Sequence, residues 1–425
     1  MKRLGNCLNR RSPTNFFGEA DFFGKMKILY IAPYTSLSFR ASHGDIYTPS
    51  IGGLRKIELI VMALTQAGHT VVVLSSAMLS ISRLSLRSET CEVINLECGG
   101  TFKVIYPSAL MLRPLGGFIN CMRAAGFVRR IVDEFKPDAA IVYNTYLFES
   151  LAVSELLRSK KIPICLEIED LPLARRRGLF NLKPLLDQFC WNGMLKKVSS
   201  FLAVNQFILD KLPDNKPKTL LPGVIDQKLL VQAKTRSRPY AKSERLLGYF
   251  GALTAEKGVK VLLELVPKLE PPWQLVVTGS GPLSNEFELI SEKFPERFHF
   301  LGSVSEQLLY STMCSCDCVV IPLEQITDGG QGVFPFKTLE YLISGSHIIS
   351  TPLALQNELD LSYIMRWDGS LSNLLTTIKR SESDYNNEAI IRTVAIDHVL
   401  SRYTTSGINK LLTEHLLKDN RLITV

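Results

Sequence analysis

Lys337 and Glu340 follow a glycine-rich run in the stretch DGGQGVFPFKTLEYLISGSHIISTP, residues 328–352. Gly329, Gly330 and Gly332 fall within five residues, and Val333, Phe334 and Pro335 lead on to the lysine. A glycine loop entering a helix aims unpaired backbone N–H groups at one point, with the positive end of the helix dipole behind them. An anion held there gains roughly 0.3–1 kcal/mol from the dipole, or about 2 kcal/mol in a partly buried site. Lys337 can add a charged donor at the same spot. Glu340, one turn further along, can accept two hydrogen bonds from a vicinal diol. Phosphate at the helix tip and ribose on the acid together describe a nucleotide diphosphate. An ordinary strand–loop–helix with a solvated Glu and Lys is the competing reading.

The elements that must position these groups are legible around them. Pro335 suits the first helical position and Gly345 the left-handed residue after a helix end. Cys318–Pro322 reads as the strand feeding the loop, and Ile348–Ile349 as the heart of the next. Upstream, Leu246–Phe250 is a strand, Gly251–Gly258 a loop and Val259–Leu269 a helix. Strands at Trp273–Thr278, Phe298–Gly302 and Tyr363–Trp367 complete this half, with helices after them. The first half opens with a strand at Met26–Pro33 and a polar loop, Tyr34–Ser50, leading into Gly52-Gly53. A helical run to Gly68 and a strand HTVVVLSS follow, which predicts a right-handed β-α-β unit in a parallel sheet. Further strands are expected at Thr101–Tyr106, Ala139–Tyr143, Pro163–Ile168 and Phe201–Val204, with a long helix at Leu115–Phe135. Ligands of such sheets bind at the carboxyl ends of the strands. Asn144, Glu169 and Asp170 stand just past two of those ends and are either acceptor-side residues or plain loop polarity. The G-x-G-x-x-G dinucleotide fingerprint is missing.

FPFKTLEYLISG resembles the donor-site helix of retaining GT-B glycosyltransferases of family four (glycosyl transferases group 1), in the variant with a P-x-K-x-x-E-Y core. The resemblance implies an α/β fold of two Rossmann-like domains, their parallel sheets facing an interdomain cleft, with a C-terminal helix crossing back to the first domain. In that family the Glu matched by Glu340 holds the ribose of the nucleotide sugar. A second Glu usually stands eight residues earlier, where this chain has Gly332. The loop GALTAEKG looks like the family's G-R-L-x-x-x-K-G: Gly251 opens it, Lys257 matches the phosphate-binding Lys, and Ala252 replaces the usual Arg. Gly279 and Gly281 match the glycine turn after the next strand, and Leu301 and Val304 fall where the base is lined. Gly52 and Gly53 match a paired glycine that approaches the diphosphate and acceptor, with Arg55 and Glu58 behind them. Gly330, Gly332, Val333, Phe334 and Pro335 complete the donor side.

From the resemblance follow a retaining transfer from a nucleotide-diphosphate sugar as co-substrate and a glycan, lipid-linked or small-molecule acceptor. Lys257, Lys337 and Glu340 are the residues expected to carry it, without a cofactor. No D-x-D pair is present to hold a divalent metal. LLPGVID at Leu220–Asp226 resembles the family's interdomain crossing, and Arg402-Tyr403 its aromatic return. The implied organisation is a disordered leader at 1–25, an acceptor domain at 26–215, a nucleotide-sugar domain at 216–385 and returning helices at 386–425. Ala252 and Gly332 keep open a non-catalytic binding protein with a degenerate site. A sugar-nucleotide isomerase on the same architecture is a further rival.

Composition bounds this reading. The 425 residues suffice for two α/β domains, and the net charge of +8 with pI near 8.9 suits phosphorylated substrates or anionic lipid more than nucleic acid, for which no module signature is visible. Arg175-Arg176-Arg177 in an apolar loop suits either a membrane interface or a solvated charge run. No apolar run is long enough to span a bilayer, and the basic leader lacks a secretory h-region. With nine scattered cysteines this predicts a reduced, cytoplasmic chain, peripheral on the membrane at most. Cys314, Cys316 and Cys318 lack a second ligand pair and read as buried apolar residues.

Overall fold

Short runs of β-branched and aliphatic residues such as TVVVLS, AAIVY and ICLEI cannot leave either face in water, and they fold as parallel strands covered by helices. A computed structural model gives the protein's structure; it describes residues 25–43, 51–77, 85–97, 99–111, 115–159, 161–171, 183–234, 244–323, 335–351, 364–381 and 389–418.

In the first lobe the strands are β1 (Lys27–Ala32), β2 (Thr70–Ser75), β3 (Ser85–Arg87), β4 (Thr90–Asn95), β5 (Thr101–Tyr106), β6 (Ala109–Met111), β7 (Ala139–Tyr143), β8 (Ile164–Ile168), β9 (Ser200–Ala203) and β10 (Lys218–Leu220). Eight of them form one sheet in the order β10-β9-β8-β7-β1-β2-β5-β4. Only the β4–β5 pair at the edge is antiparallel. The second lobe holds β11 (Arg245–Phe250), β12 (Trp273–Thr278), β13 (Phe298–Gly302), β14 (Cys318–Ile321), β15 (His347–Ser350) and β16 (Ile364–Arg366). Their order, β13-β12-β11-β14-β15-β16, is that of a doubly wound dinucleotide-type sheet. Chain direction away from the sheet's centre reverses between β11 and β14, so the loops after those two strands flank one crevice. In the first lobe the same reversal falls between β1 and β7.

Several expectations need correction. The polar stretch 34–50 contains a helix, Leu37–His43. Ser36 Oγ accepts the Phe39 N–H at 2.9 Å, and the Phe39 ring stacks on Tyr106 at 3.7 Å between centroids. That tertiary stacking supplies what hydrophobic periodicity did not. The aperiodic stretch 227–244 opens with the helix Gln227–Lys234, held against helices Glu306–Ser315 and Lys337–Ser344. Pro267 breaks the expected helix at 259–269 into Lys260–Leu265 and a tighter turn, Val266–Lys268. Strands β3, β4 and β6 carried no recognised signal; β4 alternates half-buried and exposed residues, as an edge strand does. Strand β10 extends the first sheet past residue 216, so the crossing between lobes lies at 221–226.

The helix Thr405–Lys418 returns to pack on Ile51–Gln66 of the first lobe. Just before it the Tyr403 carbonyl accepts the Ile225 N–H at 2.7 Å, tying the return path to the outgoing one. Among the described residues no helix is long and apolar enough to cross a membrane. Residues 1–24, including almost all of the expected leader, and Arg175–Arg177 lie outside the described residues.

Candidate active site

Burial drives the central helix, Lys337–Ser344: every side chain from Thr338 to Ser344 is buried, and Gly345, at φ 84°, closes it. Two contacts fix its entry. Tyr341 Oη donates to the Phe250 carbonyl at 3.3 Å, pinning the helix to the end of β11. Phe336 lies so close to Gly223 of the lobe crossing that a Cβ at 223 would overlap its ring. With the helix so placed, Lys337 reaches the loop after β11, where a Cβ on Gly251 would meet Lys337 Nζ at 2.8 Å.

Lys257 ends a short turn, Ala255–Lys257, that Gly258 stops at φ 68°. Lys257 is exposed, and Lys337 feels its charge. Burial pushes the Lys337 ammonium down to about 8; the Glu340 carboxylate opposes that shift and the Lys257 charge adds to it. Glu340 is 9% exposed. Burial pushes its carboxyl up to about 7, Lys337 and Arg55 pull it down, and Asp226 and Glu306 push it further up. Lys257, Lys337 and Glu340 therefore share one local field: two cations at the mouth and an acid behind them.

A pH dependence follows directly. Below about 7 Glu340 takes up a proton and loses acceptor capacity; above about 8 Lys337 loses its charge. A nucleoside diphosphate titrated against the free protein should therefore bind best between those values, weakening on both sides. Lys337→Arg should remove the basic limb only, and a flat profile across that window would sink the assignment.

The glycine turns have a packing role. A Cβ on Gly279, at φ 140°, would overlap the Gly251 carbonyl oxygen, and one on Gly281 would overlap that of Leu253. The loops are laced together by Gly251 N–H to Thr278 O and Leu253 N–H to Ser280 O, both 3.0 Å. Gly52 and Gly53 occupy the first turn of Ile51–Gln66, with open space where a Gly52 Cβ would stand. Leu301, in β13 beside the carboxyl end of β12, is 39% exposed, and Val304 and Pro335 are half-buried. Gly330, Gly332, Val333 and Phe334 lie outside the described residues.

On the first-lobe side Asn144, at φ 60°, is 1% exposed; its Oδ1 accepts the Glu169 N–H at 2.8 Å and the Asp170 N–H at 3.3 Å. Asn144 thus shapes the turn that carries the other two. Glu169 pairs with the buried Lys56, which also reaches Glu167 at 3.1 Å and the Leu221 carbonyl at 2.7 Å. Burial raises Glu169 to about 7, against the pull of Lys56. Lys56 was missed in the sequence. It shares a helical stripe with Ile60 and Leu64, and a lysine on an apolar stripe is the signal that marks it.

Arg55, which follows the paired glycine, is engaged by acids of both lobes. It pairs with Asp226 of the crossing, with Glu306 of the second lobe at 2.8 Å and with Glu58 at 3.1 Å. Tyr310 Oη donates to Asp226 at 3.1 Å, and Lys228 Nζ meets Glu306 at 2.6 Å. This network bridges the lobes beside Glu340. Isolated acids such as Asp226 and Glu306 carry no periodic signal, so only the fold brings them together.

Known proteins share this architecture. Residues 244–361 match the family model described as Glycosyl transferases group 1. Granule-bound starch synthase 1, chloroplastic/amyloplastic, of Pisum sativum is 27% identical over 108 residues, a segment covering 25% of this chain and only 17% of that relative's length. Sucrose-phosphate synthase from Thermosynechococcus elongatus superposes with a TM-score of 0.65 at 13% identity, covering 94% of this chain and all of that one (100%). HepE of Anabaena, in complex with UDP, gives 0.62 at 15% identity, covering 92% of this chain and 100% of the other. The chain thus has the two-lobed GT-B fold, and residues 244–361 of its second lobe match the glycosyl transferases group 1 model.

Proposed function

We propose that the chain is a glycosyltransferase that moves a sugar from a nucleotide-diphosphate donor to a glycan, lipid-linked or small-molecule acceptor, retaining anomeric configuration and using no metal. The observation that carries this reading is the convergence of Lys257, Lys337 and Glu340 beside Gly251 at the crevice of the second lobe. Charge developing on a departing nucleoside diphosphate is then met by two preplaced cations in a partly dry site, where such interactions count most. Glu340 is placed to clasp a ribose diol with both carboxylate oxygens. The group 1 match over these residues and the fold shared with a UDP-bound neighbour support the same reading.

The test is turnover of a panel of nucleotide sugars, followed as released nucleoside diphosphate with and without acceptors. Glu340→Gln keeps the size of the side chain but removes its charge, and should lower kcat/KM roughly 10- to 100-fold, the worth of a charge-assisted hydrogen bond. Unchanged turnover in that variant would remove Glu340 from the site.

The engagement of Arg55 by Asp226 and Glu306 favours one second reading, a sugar-nucleotide-binding protein without turnover. A donor that stabilises the protein by about 2.7 kcal/mol at 100 times its Kd, with no product formed on any acceptor, would decide for it.

A further inference from the structure

Thirteen large apolar side chains are exposed among the described residues, and six of them sit on two helices of the first lobe. Phe118, Ile119 and Met122 are 59%, 41% and 55% exposed on the helix Leu115–Phe135; Leu185, Leu186 and Phe189 are 71%, 38% and 76% exposed on Lys183–Lys197. Both helices pack against Leu147–Ser159. The buried thiols of Cys121 and Cys190, each next to one of these residues, lie within electrostatic reach of one another. The two apolar stripes therefore lie on helices that share Leu147–Ser159 as their neighbour.

Their level on the lobe follows from topology. Each helix feeds a strand through a short link, Leu115–Phe135 into β7 and Lys183–Lys197 into β9, so each runs opposite to its strand. A helix of 21 residues is about 31 Å long, against about 17 Å for the five-residue β7. The first halves of both helices, where the six side chains lie, thus stand at the carboxyl edge of the sheet. That edge also carries Asn144 and Glu169. The charge around the patch has one sign. Between 115 and 132 the helix has no acid at all, and the single acid of the other, Asp187, is buried. Among the described residues Arg123 meets Ser108 Oγ and the Phe127 ring and no carboxylate, and Lys196 is exposed on its helix.

We infer that this apolar face, with its basic border, docks on an anionic lipid surface. Apolar side chains that enter the acyl boundary and cations that meet the headgroups form the pattern of an interfacial helix pair. A second copy of the chain would bring the same positive border against itself, which the one-signed charge disfavours. If the transfer reading holds, and this consequence rests on it, the docked face holds the carboxyl edge of the first lobe at the membrane, and the acceptor is lipid-anchored.

Flotation of the full chain with vesicles tests the docking alone. Wild type should co-float with phosphatidylglycerol-containing vesicles and far less with pure phosphatidylcholine. Phe118→Ser/Met122→Ser/Phe189→Ser, at exposed positions, should lose tenfold or more of that binding. Arg123→Gln/Lys196→Gln should lose it in a salt-sensitive manner. Nucleoside-diphosphate binding, measured on the same preparations, should stay unchanged in both variants, so that failure of the docking and failure of the donor site are read separately. Absent or charge-independent vesicle binding, or full binding by the triple variant, overturns the inference. So does a solution dimer that the triple variant dissolves, which would give the face to a second copy.

Discussion

Lys337→Ala should weaken nucleoside-diphosphate binding roughly 10- to 150-fold, the 1.5–3 kcal/mol of a charged hydrogen bond. The side chain reaches Gly251 at the mouth of the crevice and carries a charge that burial already disfavours. Two secondary effects distinguish this expectation from general damage. Lys337 draws the Glu340 carboxyl down, so its loss should move the acidic limb of the binding profile to higher pH. Removal of a desolvated ammonium should also leave the melting temperature unchanged or raised, because the folded state no longer confines that charge. Isothermal titration and thermal unfolding read both. An affinity change under about threefold would detach Lys337 from the phosphate-binding role.

Gly279→Ala should destabilise the second lobe by about 3 kcal/mol, since the new methyl meets both a φ of 140° and the carbonyl oxygen of Gly251. For a unit of a few hundred residues this corresponds to a fall in Tm of roughly 6–12 °C. The opposite sign is expected at Gly52, which lies in a helix with open space around its Cβ position. There alanine should add a few tenths to about 1 kcal/mol of stability. If Gly52→Ala stabilises the protein yet weakens donor binding, the glycine is kept for the approach of a ligand. Equal melting temperatures for wild type and Gly279→Ala would refute the close packing of the two loops.

What the sequence made legible was the repeating part of the structure. Buried strands such as β7 announce themselves by an unbroken apolar run, and Leu115–Phe135 by its period, because both patterns come from one-sided or complete burial along a regular element. The helix Lys337–Ser344 and its stop at Gly345 were legible because they depend on spacing within a single loop and helix. What stayed hidden depends on contacts across the chain. Helix Leu37–His43 rests on the stacking of Phe39 against Tyr106, far away in sequence. The pairing of Arg55 with Asp226 joins residues 171 positions apart, and no local pattern encodes it. Gly279 was recognised as part of a glycine turn, but only the folded chain reveals that its neighbour is another backbone.

The hydrogen bond from Ile225 N–H to Tyr403 O joins the outgoing path to the returning one. The polypeptide passes between its halves twice, and these two passages run side by side, stitched by that bond. Two parallel tethers so close together resist twisting and sliding but leave bending free. Any separation of the halves must therefore leave these two passages together, and the line through them is where the molecule is held.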